Sequence, residues 1–254
     1  MELFDTHCHL DVAAFDADRA QVLQRMRERG VRHILVPAID ADHWDGLLKL
    51  CDTETGLYPA LGLHPVFLDN HRAAHVTQLA QYIDLYHPVA VGEIGLDFFI
   101  RELDRDAQRK LFEAQLSIAR DAQLPVVLHV RKAHDEVLSC LKKIPVPGGT
   151  VHAFNGSEQQ ARHYIDKGFK LGFGGTLTWK RSNRIRELAR RIPIESIVLE
   201  TDAPDMVVAQ HAGERNSPEY LVHCLESLAE VRNAEPEFVA AQTTANARAV
   251  FGLS

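Results

Sequence analysis

The stretch LPVVLHV, residues 124–130, shows the pattern that decides the fold. Nearly every position is apolar, whereas a half-exposed strand would alternate apolar with polar residues. Continuous apolar runs of this length are typical of parallel β-strands covered by helices. One ionisable residue, His129, stands near the carboxyl end of the run. The same combination, an apolar run with an ionisable residue at its end, recurs along the chain.

Seven further runs resemble this one. They are LFDTHCH (3–9), RHILVPAI (32–39), LYPALGLH (57–64), PVAVGEIGL (88–96), GGTVHAF (148–154), FKLGFGG (169–175) and SIVLETDAP (196–204). Between them lie polar segments with apolar residues at helical spacing, such as 17–28, 104–123, 158–166 and 183–191. Eight alternations of strand and helix predict an α/β protein with a (β/α)8 barrel, formed by residues 1–254 as a single domain.

Glycine and proline positions support these boundaries. Gly30 and Gly168 fall where helices should end, and Ser217 followed by Pro218 is typical of a helix start. A last helix is expected over 236–251.

Composition narrows the function classes. The first residues lack the basic segment of a secretory signal, and no run approaches the roughly 18 apolar residues of a membrane span. The four cysteines are widely spaced, which indicates a reducing compartment. We therefore expect a soluble, cytoplasmic protein without a membrane association or an obligate protein partner. The net charge of −7 argues against nucleic-acid binding over the whole surface, so that an anionic partner would have to be bound locally.

Six of the eight runs carry ionisable residues at or near their carboxyl ends. They are His7, His9, His64, Glu93, His129, His152, Glu200 and Asp202. The active site of a barrel lies at the carboxyl ends of its strands, so these side chains should meet. Burying them unpaired would cost several kcal/mol each, and divalent ions such as Zn²⁺, Mn²⁺ or Mg²⁺ are their natural partner. The set exceeds what one ion needs, which favours two ions bridged by a carboxylate and a hydrolytic reaction, especially on phosphodiesters.

Other features are interpreted as structural. Histidines in helical or loop segments, among them His75, His134 and His211, are expected to be ordinary surface groups. Cys8 should point away from its histidine neighbours and pack in the core. The stretch GFGGT (172–176) lacks the lysine and the spacing of a nucleotide phosphate loop.

A basic segment follows the seventh run. Lys180 and Arg181 come directly after it, at a recurrent phosphate-binding location in barrels, and Arg131 shares a strand face with His129. These three cations are expected to bind substrate phosphates. The basic residues further along the same segment, Arg186, Arg190 and Arg191, are expected to form a solvated helix face.

Together these motifs resemble the TatD-type metal-dependent hydrolases and deoxyribonucleases of the amidohydrolase-like barrel group. The resemblance covers nearly the whole chain. It rests on FDTHCHLD (4–11), ALGLHP (60–65), VGEIGLD (91–97), LPVVLHVR (124–131), VHAFNGS (151–157), GFGGTLT (172–178) and LETDAP (199–204) followed by RNSPEYL (215–221). The sequence LETDAPDM (199–206) is most similar to that of bacterial members described only as probable deoxyribonucleases.

The resemblance implies roles for individual residues. One ion would be held by His7, His9, Glu93 and Asp202, and a second by Glu93, His129 and His152, with Glu93 as the bridge. His64 and Glu200 would lie near the substrate phosphate or a third ion. The chain departs from many nuclease-type members after Asp202, where the loop continues through Asp205, Met206, Val207 and Val208.

The sequence thus predicts a metal-dependent deoxyribonuclease with Asp202 and Glu93 as catalytic residues, DNA as substrate and cleavage from the 3′ end. Two alternatives remain open. The same metal site could hydrolyse a small amide, ester or lactone, because an activated water attacks carbonyl carbon as readily as phosphorus. A non-catalytic binding protein is the other, although it would have no need for so many costly buried groups.

Overall fold

The computed structural model describes residues 1–253, and within them eight parallel strands form one sheet in sequential order. The strands are β1 (Leu3–Asp5), β2 (Val31–Pro37), β3 (Leu57–Leu61), β4 (Ala90–Asp97), β5 (Val126–Arg131), β6 (Gly149–Val151), β7 (Phe169–Phe173) and β8 (Ile197–Leu199). The last strand returns to the first, because the Thr6 N–H donates to the Leu199 carbonyl at 3.0 Å. The predicted (β/α)8 barrel is confirmed.

Helices follow the strands on the outside of the barrel. Those in residues 1–253 are α1 (Arg19–Glu28), α2 (Trp44–Thr53), α3 (Ala73–Tyr86), α4 (Arg105–Asp121), α5 (His134–Lys143), α6 (Glu158–Ile165), α7 (Asn183–Arg191), α8 (Leu221–Arg232) and α9 (Pro236–Val250). Gly30 and Gly168 follow α1 and α6 with φ of +87° and +84°, a left-handed conformation that favours glycine.

One predicted helix start differs in detail. Pro218–Tyr220 form a 3-10 turn, and α8 begins only at Leu221. Ser217 makes no capping hydrogen bond to the helix backbone. Its hydroxyl donates instead to the carboxylate of Glu219, which leaves the first turn without the contact that a serine N-cap normally supplies.

The apolar residues divide between two sides of the sheet. The larger cluster lies between strands and helices, and Cys8 packs in it as predicted. A smaller cluster takes Phe4, Leu35 and Val127 from strands whose neighbouring residues belong to the larger one. Since side chains alternate along a strand, the smaller cluster fills the barrel interior. Phe251, at the end of α9, joins it, so that apolar packing fills this layer and leaves polar side chains to the strand ends.

Two expectations from composition concern the cysteines and the apolar segments. All four cysteines are free thiols. Among the helices within residues 1–253, none is long and apolar enough to cross a membrane.

Candidate metal centre

A cavity of about 770 Å³ opens at the carboxyl ends of the strands. The predicted residues that line it are His9, His64, Glu93, Arg131, His129, His152 and Asp202. His7 and Glu200 do not line the cavity and are fully buried. The strand ends thus converge on one place, as the barrel prediction requires.

The two histidines of the first run reach the cavity by an unexpected route. β1 ends at Asp5, so His7 and His9 lie in the segment beyond the strand and not on it. Backbone hydrogen bonds hold this segment beside the one that follows β8: the Asp202 N–H donates to the His7 carbonyl at 2.8 Å, and the His9 N–H donates to the Ala203 carbonyl at 2.9 Å. This pairing brings both histidines to Asp202.

Four side-chain atoms from these segments and β4 form a compact group. They are Nε2 of His7, Nε2 of His9, Oε2 of Glu93 and Oδ1 of Asp202, and the measured separations range from 3.1 to 3.7 Å. Ligands about 2.0–2.2 Å from a tetrahedral ion lie about 3.3–3.6 Å from one another. Nδ1 of His9 lies 3.1 Å from the Pro37 carbonyl, to which it can donate, and this leaves the Nε2 lone pair for the group.

The other carboxylate oxygen of Glu93 faces a second group. Oε1 lies 3.1 Å from Nδ1 of His129 and 3.5 Å from Nε2 of His64. The far nitrogen of His129, Nε2, lies 3.0 Å from Oδ2 of Asp97, which accepts its proton in the neutral ring. The Nδ1 lone pair then faces a carboxylate oxygen, an arrangement that is repulsive without a proton or cation between them.

His152 lies between the first group and the carboxylates after β8, with its ring stacked on that of His7 at 3.7 Å between centroids. Its Nε2 lies 3.5 Å from Oδ2 of Asp202, and its Nδ1 lies 3.1 Å from Oε1 of Glu200 without forming a hydrogen bond. Glu200 therefore lies on the Nδ1 side of the His152 ring, and Asp202 lies on the Nε2 side. Its Oε1 accepts the Ala153 N–H at 2.6 Å.

The pKa values of two groups in the site, His152 and Asp202, are raised. Burial lowers the pKa of a histidine, but the carboxylates of Asp202 and Glu200 outweigh it and raise the pKa of His152 to about 10. Burial, moderated by His152 and His9, raises the pKa of Asp202 to about 6. Both groups are thus shifted towards binding a proton. Neighbouring carboxylates buried in low dielectric need a compensating cation.

Three buried atoms add to this picture. Nδ1 of His7, Nδ1 of His152 and Oε2 of Glu200 have no hydrogen-bond partner among residues 1–253. Unpaired buried polar atoms are costly and uncommon in native proteins. The spacing of the first group and its mixed imidazole and carboxylate ligands show that the residues present fit divalent cations.

His64 differs from the other histidines in its hydrogen bonding. Its Nδ1 accepts the Val66 N–H at 3.2 Å, and burial lowers its pKa to about 4, so the neutral ring carries its proton on Nε2. His64, Glu93 and His129 have the spacing of a metal site. A protonated Nε2 is nevertheless a donor, which suits a substrate oxygen better than an ion.

The basic residues are arranged differently from the prediction. Neither Lys180 nor Arg181 lines the cavity; Arg181 instead lies over the Trp179 ring at 5.0 Å. Arg184 lines it in their place and donates to the Asn155 carbonyl at 2.6 Å. The chain turns outward through the 3-10 helix after β7, and the first turn of α7 brings Arg184 back.

Arg131 lines the cavity, as the sequence placed it. The arginines predicted to form a solvated helix face are paired with carboxylates. Arg190 and Arg191 bind Glu187, and Arg186 lies 3.2 Å from Glu230.

Two groups that sequence reasoning missed support the site. Asp97 holds His129; it ends the motif VGEIGLD (91–97) but was given no role, because it occupies the last position of a buried strand. His134, expected at the surface, is buried at the start of α5 between the Tyr164 hydroxyl at 3.3 Å and Oδ1 of Asn155 at 3.2 Å. Asn155 lines the cavity, so this network fixes part of its wall. His75 is also buried, contrary to the same expectation.

Comparisons with known proteins match nearly the whole chain to one family. The family model described as TatD related DNase matches residues 4–252. The YjjV protein of Escherichia coli K12, named as an uncharacterized metal-dependent hydrolase, is 38% identical over 252 residues, which are 98% of this chain and 97% of that protein. The 3′-5′ ssDNA/RNA exonuclease TatD of Klebsiella pneumoniae is 34% identical over 260 residues, covering 99% of this chain and 98% of that protein.

Solved structures support the same family and fold. A crystal structure of the E. coli TatD homologue YjjV has a TM-score of 0.95 at 38% identity and covers 99% of this chain and 98% of that one. An organophosphorus hydrolase from Deinococcus radiodurans has a TM-score of 0.71 at 13% identity, with 98% and 93% covered, and shares the fold. The convergent strand ends, the cation-demanding site and these matches lead to one conclusion: the chain belongs to the TatD family and is a metal-dependent hydrolase.

Proposed function

We propose that the chain is a deoxyribonuclease that hydrolyses phosphodiester bonds of single-stranded DNA from the 3′ end with two divalent ions. The main support for the proposal is the position of Glu93. Its two carboxylate oxygens face two separate groups of potential ligands. Relatives about one-third identical over nearly the whole chain are named as 3′-5′ ssDNA/RNA exonucleases, which supports the choice of substrate.

The ligand assignments form part of the proposal. His7, His9, Glu93 and Asp202 would hold one ion; Glu93, His129 and His152 would hold the other. Bound there, a pair of divalent ions would lower the pKa of a water molecule and neutralise charge on the reacting phosphate. Zn²⁺, Mg²⁺ and Mn²⁺ all suit mixed imidazole and carboxylate ligands. The Glu200 carboxylate lies 3.1 Å from Nδ1 of His152 and would orient the ring by its charge, without a third ion.

The protein's own residues supply the remaining steps. Asp202 accepts a proton from the attacking water, whose oxygen forms the new bond to phosphorus. The bond between phosphorus and the 3′ oxygen of the preceding nucleotide breaks, and that oxygen takes up a proton, so the products are a 5′-nucleotide and a shortened strand. His64 donates from Nε2 to a phosphate oxygen, and Arg131 and Arg184 at the cavity wall attract the phosphates.

The test is cleavage of 3′-labelled and 5′-labelled single-stranded DNA by purified protein with Mg²⁺ or Mn²⁺. We expect stepwise loss from the 3′ end by the wild type and a loss of at least about 10²-fold in kcat for Glu93→Ala and Asp202→Ala. Asp42→Ala, in the 3-10 helix after β2, is the control that should retain full activity. Equal cleavage by all variants would assign the activity to a contaminant and overturn the proposal.

Hydrolysis of a small amide, ester or lactone is the second candidate. It is favoured by the apolar side chains that line the cavity, including Met206 of the divergent loop, Phe154 and Ile185. A screen in which carbonyl compounds are hydrolysed and DNA is not would select it. A reducing compartment such as the cytoplasm is our proposal for the location, supported by the four free thiols.

A further inference from the structure

Two phenylalanine side chains are exposed at the mouth of the cavity. Phe67 follows β3, lines the cavity and is 36% exposed; Phe99 follows β4 and is 57% exposed. Single exposed aromatic groups are common on protein surfaces, so exposure alone assigns no role. What distinguishes these two rings is their contacts with residues of the candidate metal centre.

The ring of Phe99 is fixed in place by its neighbours. Oδ1 of Asp97 accepts the backbone N–H groups of Phe99 at 2.9 Å and Ile100 at 3.2 Å, which shapes the turn after β4. The guanidinium carbon of Arg131 lies 4.3 Å from the centre of the Phe99 ring. The ring is thus contacted by Arg131 and remains open to solvent, as a stacking surface must be.

The same contacts place the ring beside the candidate metal centre. Oδ2 of Asp97 lies 3.0 Å from Nε2 of His129 and 3.3 Å from an Arg131 guanidinium nitrogen. A single carboxylate therefore separates the Arg131–Phe99 pair from a potential metal ligand. After the adjacent strand β3, the Phe67 ring lies 5.5 Å from the ring of His64, which contacts Glu93. Both phenylalanines thus flank the same side of the site.

The charge balance explains why such rings would be needed. The chain carries a net charge of −7, and the cavity wall itself presents Arg131 and Arg184 as its basic side chains within the described residues. Beyond the proposed ions, these two arginines are the cations of the wall that can attract the flanking phosphates. Stacking of a base on an aromatic ring adds affinity independently of net charge, by about 5- to 150-fold per base.

We propose that Phe67 and Phe99 form a base-stacking subsite that binds two unpaired bases next to the phosphodiester to be cleaved. The inference rests on the proposed function and deepens it: bases within a duplex are already stacked on one another, so the subsite selects single strands. Phe67, which lines the cavity, takes the base nearer the reacting phosphate, and Phe99 takes the next one along the strand.

Equilibrium binding to strands with and without bases distinguishes base stacking from attraction to the phosphates. A fluorescent single strand with phosphorothioate linkages, which resist hydrolysis, is titrated with protein and Mg²⁺, and its anisotropy gives the Kd. A second strand of equal length and charge carries abasic residues in place of the bases. The variants are Phe67→Ala and Phe99→Ala, with Phe99→Trp as rescue and Phe238→Ala as control, since Phe238 is 54% exposed on α9.

We expect each of the first two variants to raise the Kd for the base-bearing strand at least about fivefold and to leave the Kd for the abasic strand unchanged. Phe99→Trp should restore binding, and Phe238→Ala should alter neither strand. Equal losses on both strands, or no loss on either, would overturn the subsite even if the wild type cleaves DNA. Phenylalanine-dependent binding without any cleavage would retain the subsite and overturn the nuclease proposal. A wild type that binds neither strand would overturn both.

Discussion

Asp97 shows how much of the site depends on a single carboxylate. Four donors converge on it: Nε2 of His129, a guanidinium nitrogen of Arg131, and the backbone N–H groups of Phe99 and Ile100. Burial raises the pKa of a carboxyl, but the bond from His129 and the other donors outweigh it and lower the pKa of Asp97. The carboxylate thus stays ionised and fixes which nitrogen of His129 faces Glu93.

Removing the charge at this position should weaken metal binding. In Asp97→Asn the amide keeps the size of the side chain but loses the charge that orients His129, and we expect the Kd for Mn²⁺ to rise about 10- to 100-fold. Isothermal titration calorimetry measures the change. Asp40→Asn is the matched control, because Asp40 is also buried but pairs with His43 and Asn70. Equal affinities for wild type and Asp97→Asn would show that His129 is oriented by other contacts.

At the scale of elements, the packing of β7 against its neighbour explains the glycines of GFGGT (172–176), a stretch that does not match a nucleotide phosphate loop. A Cβ added at Gly172 would lie 2.1 Å from Oε2 of Glu200, and one at Gly174 would lie 2.8 Å from the Glu200 carbonyl. The strand therefore uses glycine because the neighbouring Glu200 side chain and backbone pack directly against it. These glycines make room for a buried carboxylate and do not cradle a phosphate.

A methyl group at this strand position should disturb the site. Gly172→Ala forces the fully buried Glu200 to move, and we expect a loss of about 1–3 kcal/mol in the free energy of unfolding together with weaker metal binding, because Glu200 orients His152. Urea denaturation gives the first quantity.

Gly46→Ala provides the comparison for this experiment. Gly46 lies within α2, and an added Cβ there meets nothing within 4 Å among residues 1–253. Alanine should stabilise the helix by about 0.5–1 kcal/mol. If Gly172→Ala were as stable as Gly46→Ala, the close approach to Glu200 would not constrain the strand.

For the whole molecule, the distribution of charge couples metal binding to stability. Apolar side chains fill the barrel interior, whereas Glu93, Glu200 and Asp202 gather near its carboxyl end. Because Glu93 and Glu200 are almost fully buried, their charge has to be balanced within the fold. Any cation that binds the folded state there stabilises it against unfolding.

Divalent ions should therefore raise the melting temperature. At a concentration about 100 times the Kd, one ion stabilises by about 2.7 kcal/mol, and for a chain of this size each kcal/mol corresponds to about 2–4 °C. We expect chelation to lower Tm and Mn²⁺ or Zn²⁺ to restore it, with elemental analysis finding two ions per chain. A count of three would instead make Glu200 a ligand, and an unchanged Tm would contradict binding at the buried carboxylates.

The extent of the folding unit stays a prediction. The family match covers residues 4–252, and the strands from Leu3 to Leu199 form one sheet. The predicted domain runs to Ser254, which lies outside the described residues.

The barrel and the residue types at its mouth were predictable because both follow from local patterns. An apolar run such as 124–130 between helical segments is typical of a buried parallel strand, and a barrel places all strand ends together. His129 and Glu93 could thus be expected to meet without any knowledge of their distances. The family followed from the same motifs.

Other features depended on contacts between distant segments. Backbone pairing between the segments after β1 and β8 brings His7 and His9 to Asp202, although neither histidine lies on a strand. Which arginine reaches the cavity was set by the path of the chain between β7 and α7, so Arg184 lines it and Arg181 does not. Patterns within one segment determine what a residue can do, whereas hydrogen bonds and packing between segments determine which atoms face each other. The orientation of His129 by Asp97 is of this second kind.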